Sequence, residues 1–106
     1  NLHRLFAGLV DAWTCTEGGD ALAVATGLGA GAIRTTAALD DDAWQRMLDC
    51  EHGGMNEALA DLADATGEER FLDLARRFHH RRVLEPLARG EDTLAGLHAN
   101  TQIPKV

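Results

Sequence analysis

Apolar residues recur along this chain with the period of a helix. Leu2, Leu5, Phe6, Leu9, Val10 and Trp13 fall three or four positions apart, which predicts one amphipathic helix over residues 2–16 with Trp13 on its core face. Glu17-Gly18-Gly19-Asp20 breaks it, with Asp20 placed to cap the next helix. Residues 21–38, rich in Ala, Leu and Thr, read as that second helix. Gly27, Gly29 and Gly31 each weaken it by about 1 kcal/mol against alanine, so they either permit close helix contact or mark a break. Asp40-Asp41-Asp42 is a cluster of caps ahead of a short helix over 41–48. A fourth helix, 54–65, sets Met55, Ala58, Leu59, Leu62 and Ala65 on one face and ends at Thr66-Gly67. A fifth, 68–83, does the same with Phe71, Leu74, Ala75, Phe78 and Arg82; its acids come early and its arginines late, matching the helix dipole. Pro86 and Gly90 then interrupt, and residues 84–100 read mostly as loop. No segment alternates like a strand. The fold class is all-α, built from antiparallel helical hairpins, with no internal domain boundary in residues 1–106.

Shifting the sequence by 50 positions places Leu9, Asp11, Thr16, Leu22 and Ala25 on Leu59, Asp61, Thr66, Leu72 and Ala75. Each copy is helix, polar turn, helix. Such a hairpin cannot bury its apolar faces alone and expects neighbours of its own kind.

Two polar stretches interrupt the pattern. Cys50-Glu51-His52-Gly53-Gly54-Met55-Asn56-Glu57 gathers carboxylates, an imidazole, a thiol and an amide around a Gly-Gly pair ahead of the fourth helix. His98-Ala99-Asn100-Thr101-Gln102-Ile103-Pro104-Lys105 has the same character. Both enter a hairpin from the linking side, so they are expected to meet at one mouth. Asn and Gln amides donate and accept, and a neutral imidazole does one at each nitrogen; sugar hydroxyls need both. The bland alternatives stay open. Glu51 and Glu57 read equally as helix caps, Asn100 or Thr101 reads as the cap of a helix opened by Pro104, and Trp44 is free to be core or a stacking surface.

Composition narrows the classes. The chain has 106 residues and a net charge of −7, which argues against non-specific binding to nucleic acid or anionic membrane. The tract Arg76-Arg77-Phe78-His79-His80-Arg81-Arg82 therefore reads as a helix end, and its adjacent histidines, pointing different ways, as a poor zinc site. No apolar run approaches a membrane span of about 20 residues. Cys15 and Cys50 form neither a disulfide framework nor a CxxC site; a reducing, cytoplasmic setting is the default, with a single bridge left open. The chain begins at Asn1 and ends as a further helix opens, which is expected of part of a longer protein.

Three phrases, Glu51-His52-Gly53-Gly54-Met55-Asn56-Glu57, Thr66-Gly67-Glu68-Glu69-Arg70-Phe71-Leu72 and Leu97-His98-Ala99-Asn100-Thr101-Gln102-Ile103-Pro104-Lys105-Val106, resemble the β-L-arabinofuranosidases of glycoside hydrolase family 127 and their relatives. Residues 18–39 depart most from that pattern. The resemblance implies a fragment of an (α/α)6 toroid carrying an exo-acting, retaining glycosidase site for terminal arabinofuranosides or related sugars. It implies sugar-pocket histidines at His52 and His98; Asn56 and Gln102 join them as substrate-binding candidates on the chemistry of their amides. It also implies zinc in the full-length parent, held by cysteines and glutamate downstream, together with a glutamate acid/base. Cys15 and Cys50 do not match that cysteine motif, so no catalytic or metal-binding residue and no cofactor is expected within this chain. Its partners would be a carbohydrate and the remainder of the parent chain. The rival reading is a non-catalytic α-helical repeat module for protein interaction, which predicts the same periodicity.

Overall fold

The computed structural model describes residues 1–16, 19–50 and 52–106. Seven helices follow one another among them: α1 Leu2–Thr16, α2 Gly19–Thr36, α3 Asp41–Leu48, α4 Met55–Thr66, α5 Glu69–Arg77, α6 Arg81–Ala88 and α7 Ala99–Gln102. A 3-10 turn, Ile103–Lys105, completes the described chain, and no strand occurs among these residues. The α1–α2 and α4–α5 pairs are the two repeated hairpins, and α1 and α2 both pack on α4.

Phe6, Leu59, Leu62 and Phe71 are fully buried where these helices meet. Gly29 is the one glycine of the α2 run that makes a close approach. A Cβ there would stand 2.6 Å from Cε1 of Phe71, so α2 reaches this core because the position has no side chain. Gly27 faces open space. The α1 stripe is wider than what covers it: Phe6 is buried, Leu9 and Val10 pack partly on the core, Trp13 is half-buried, and Leu2 and Leu5 are exposed.

Caps define several boundaries. Asp40 accepts from the Ala43 amide at 2.8 Å and starts α3. Gly67, in the left-handed region at φ 69, ends α4 with its N–H on the Ala63 carbonyl at 2.8 Å. Asp20 lies within the first turn of α2 and not at its cap.

The fifth helix departs from its prediction. It stops at Arg77, and α6 starts at Arg81, so the expected continuous helix over 68–83 is broken at Phe78-His79-His80. The freed backbone groups find a partner in Gln45 of α3. Its amide donates to the His79 carbonyl and accepts from the Arg81 N–H, both at 3.0 Å. Arg82 is therefore exposed in the first turn of α6, where a cation opposes the helix dipole, and Val83 takes the buried position. The expected loop over 84–100 is also shorter. Pro86 is accommodated inside α6, and Gly90 (φ 76) closes that helix: Gly90 N–H reaches Leu87 O and Glu91 N–H reaches Pro86 O, both at 2.9 Å.

Candidate functional site

The break at His79-His80 turns His80 inward, towards the loop after α3 and the final turn. Lys105 is 1% exposed and meets it there. The Lys105 ammonium donates to the Leu48 carbonyl and to His80 Nδ1, each at 3.1 Å. With Nδ1 accepting, the ring's proton sits on Nε2 and is donated to Asp49 Oδ1 at 3.1 Å. Arg82 reaches the same carboxylate oxygen at 3.3 Å. The chain of groups thus runs cation, neutral imidazole, carboxylate, cation. Its electrostatics agree. Burial, then the Lys105 charge, holds the His80 pKa below its ordinary value against the pull of Asp49. Burial also lowers Lys105, and the hydrogen bond from His80 holds Asp49 below the usual carboxylate range.

This cluster joins the two polar stretches. Asn56, in the first turn of α4, donates from Nδ2 to the Lys105 carbonyl at 3.5 Å. Gly53 has φ 58, and a Cβ on it would collide with the His3 imidazole of α1. A Cβ on Gly54 would sit 3.9 Å from the Pro104 carbonyl. Gly53 therefore lets α1 and the α4 entrance approach one another, whereas a Cβ on Gly54 would make only ordinary van der Waals contact.

His52 lies half-buried beside Phe78, ring centroids 5.6 Å apart. Its pKa is pushed down to about 4, first by burial and then by the Lys105 charge. The Gly53 backbone favours the charged ring electrostatically, but not in hydrogen-bonding geometry. Neither His52 ring nitrogen has a hydrogen-bond partner among the described residues, and neither do Asn56 Oδ1 and Gln102 Oε1. Each such buried group costs about 1–3 kcal/mol until something pairs it. A hollow of about 310 Å³ opens beside Asn56, Phe78 and His79. A wider depression of about 420 Å³ between α4 and α5 is remote from this chemistry, lined by residues such as Ala60, Ala63 and Leu72.

Other candidates fall elsewhere. His98 is exposed and precedes α7, accepting through its backbone carbonyl from the Thr101 and Gln102 amides. Asn100 and Thr101 lie inside α7, so the expected cap there is replaced by His98, whose side chain makes no capping bond. Glu57 sits exposed in the first turn of α4; Glu51 lies outside the described residues. Trp44 is 2% exposed, edge-on to Phe78 at 5.2 Å and under the Arg77 guanidinium at 4.8 Å, so its ring is core and unavailable for stacking on a sugar. Sequence reasoning did not single out His80, Asp49 or Lys105 as a unit; the one signal was a lone lysine inside an otherwise neutral final stretch.

The zinc that the family resemblance implies would need cysteine, histidine or carboxylate ligands gathered in one place. Cys15 and Cys50 are free and exposed, and no group of three or more His, Cys, Asp or Glu side chains among the described residues is placed to hold a metal ion. These residues do not fit a zinc site.

Fold and site together define a class: an all-α hairpin domain whose connecting segments converge on a buried polar cluster. Within it, all of residues 1–106 match the family model described as beta-L-arabinofuranosidase, GH127 catalytic domain, and the chain belongs to that family. No curated protein matches it.

Proposed function

We propose that this chain supplies sugar-binding loops to a retaining, exo-acting β-L-arabinofuranosidase, with the nucleophile, the acid/base and the zinc provided by other parts of the enzyme. One observation carries the reading. Four of the five unpaired buried polar side-chain atoms among the described residues belong to His52, Asn56 and Gln102. A furanose hydroxyl can donate to Asn56 Oδ1, Gln102 Oε1 or a neutral His52 nitrogen, and His52 stays neutral because burial holds its pKa near about 4. His98, one turn before Gln102 and exposed, would close on the sugar from the solvent side.

The test is made in the full-length protein with an aryl β-L-arabinofuranoside. His52→Ala and His98→Ala are each expected to lose about ten- to a hundred-fold in kcat/KM, the equivalent of about 1–3 kcal/mol of lost hydrogen bonding. Melting temperatures should change little. Lower stability with unchanged turnover per folded molecule, at both positions, would remove the sugar-pocket assignment.

A further inference from the structure

We propose that Lys105 is a positioning residue: its buried side chain clamps the loop after α3 and the α5–α6 break, while its backbone holds Asn56, so that the two sugar-facing stretches are set relative to one another. The inference rests on the sugar-binding reading for its kinetic consequence but not for the clamp itself. Three separate segments end on this one residue. The ammonium donates to Leu48 O at the end of α3 and to His80 Nδ1 in the helix break, and the Lys105 carbonyl accepts from Asn56 at the α4 entrance. A buried lysine retained at such cost is explained by its contacts and not by solubility, because its head is wholly inside. Any change that releases it frees the turn after Gln102 from the loop carrying His52.

The clamp is also sensitive to acid. His80 accepts from Lys105 only while Nδ1 is unprotonated; a protonated ring presents an N–H to an ammonium and repels it. Asp49 and Arg82 face the other side of the ring through Nε2, and His52 adds a nearby titrating imidazole. Among the described residues, Cys50 is the remaining ionisable group acting on Lys105. Acidification therefore opens the Lys105–His80 contact, while Asp49 retains the imidazolium in place.

Two variants test this in the full-length protein. Lys105→Met keeps the length and apolar stem and removes the donors. His80→Asn offers an amide oxygen where Nδ1 stood and does not titrate. Amide hydrogen exchange in residues 49–57 and 98–105 reads the clamp without any substrate. Lys105→Met is expected to speed exchange in both segments at pH 7.5; His80→Asn is expected to preserve protection at pH 7.5 and to keep it on titration into acid, through the range in which the wild type loses it. Kinetically, Lys105→Met should raise KM for the arabinofuranoside about tenfold with kcat within about twofold, a loss of ground-state positioning. Unchanged protection in both segments, or a fall in kcat with constant KM, would overturn the proposal. If Lys105→Met does not fold, the pH dependence of protection in His80→Asn decides alone: a wild-type-like loss on acidification overturns it, as does a wild type that loses no protection in acid. An inactive wild type would sink the sugar-binding reading and leave the exchange result to judge the clamp.

Discussion

His52 ties stability to pH most directly. Its folded pKa lies near about 4 against an ordinary 6.5, so the unfolded chain binds the proton more tightly. The stabilisation of the neutral ring is then fully present above about pH 6.5 and is lost as pH falls towards 4. Between pH 7.5 and 5 this amounts to at most about 2 kcal/mol, less for the part of the ring that water screens. Urea unfolding at the two pH values should show that loss in the wild type and a smaller one in His52→Leu, with a remainder from His80, whose pKa is shifted the same way. Gly53 is constrained twice over, by its left-handed backbone and by the His3 ring above it. Gly53→Ala should therefore cost more than the roughly 1 kcal/mol expected of the backbone conformation alone, read as a drop in urea midpoint.

At the level of elements, α2 supplies a paired prediction. Gly27→Ala meets nothing within 4 Å and should stabilise by about 0.5–1 kcal/mol through helix propensity. Gly29→Ala would place its methyl against the buried Phe71 ring and Leu62, and should destabilise by about 1–3 kcal/mol despite the same propensity gain. Opposite shifts in melting temperature check both. The α5–α6 break makes a further case. Gln45 satisfies one carbonyl and one amide there, so Gln45→Ala leaves both dependent on water and is expected to cost about 1–3 kcal/mol. Arg77 reinforces the same junction through Asp41 and the Leu39 carbonyl, each at 3.3 Å. These contacts explain why a segment whose pattern favours one continuous helix is bent instead: α3 makes the break inexpensive, and the bend is what carries His80 to Lys105.

Across the whole molecule the described chain is extended. It measures 44 × 30 × 21 Å with a radius of gyration of 14.7 Å, against about 13 Å for a compact domain of this length. Leu2, Leu5 and Val24 remain exposed on the outer hairpin. Expressed as these 106 residues alone, the protein is expected to melt broadly and at low temperature, because two hairpins of an array leave apolar faces uncovered. A sharp, high-temperature melt of monomer by calorimetry would contradict this. The same 106-residue protein should lose added zinc on dialysis, since neither cysteine has partners at ligand spacing among the described residues; stoichiometric metal by elemental analysis would contradict this. No single helix among the described residues is long and apolar enough to cross a membrane.

The sequence by itself determined the all-α class, the two repeated hairpins, the ends of α1 and α3, those of α4 to within one residue, and the family, because these are local properties: helical periodicity, an Asp cap, a left-handed Gly and short specific phrases. It also picked out His52, Asn56 and Gln102 as polar residues in need of a role. Tertiary structure decided what depends on groups far apart in the chain. The α5–α6 break rests on Gln45, which is 34 residues from His79. The burial of Trp44 rests on Phe78 and Arg77. The pairing of Lys105 with Leu48 spans 57 residues, and that with His80 spans 25. Periodicity cannot register a hydrogen bond across such separations, because the residues concerned look like ordinary surface polar groups until the fold removes water from around them.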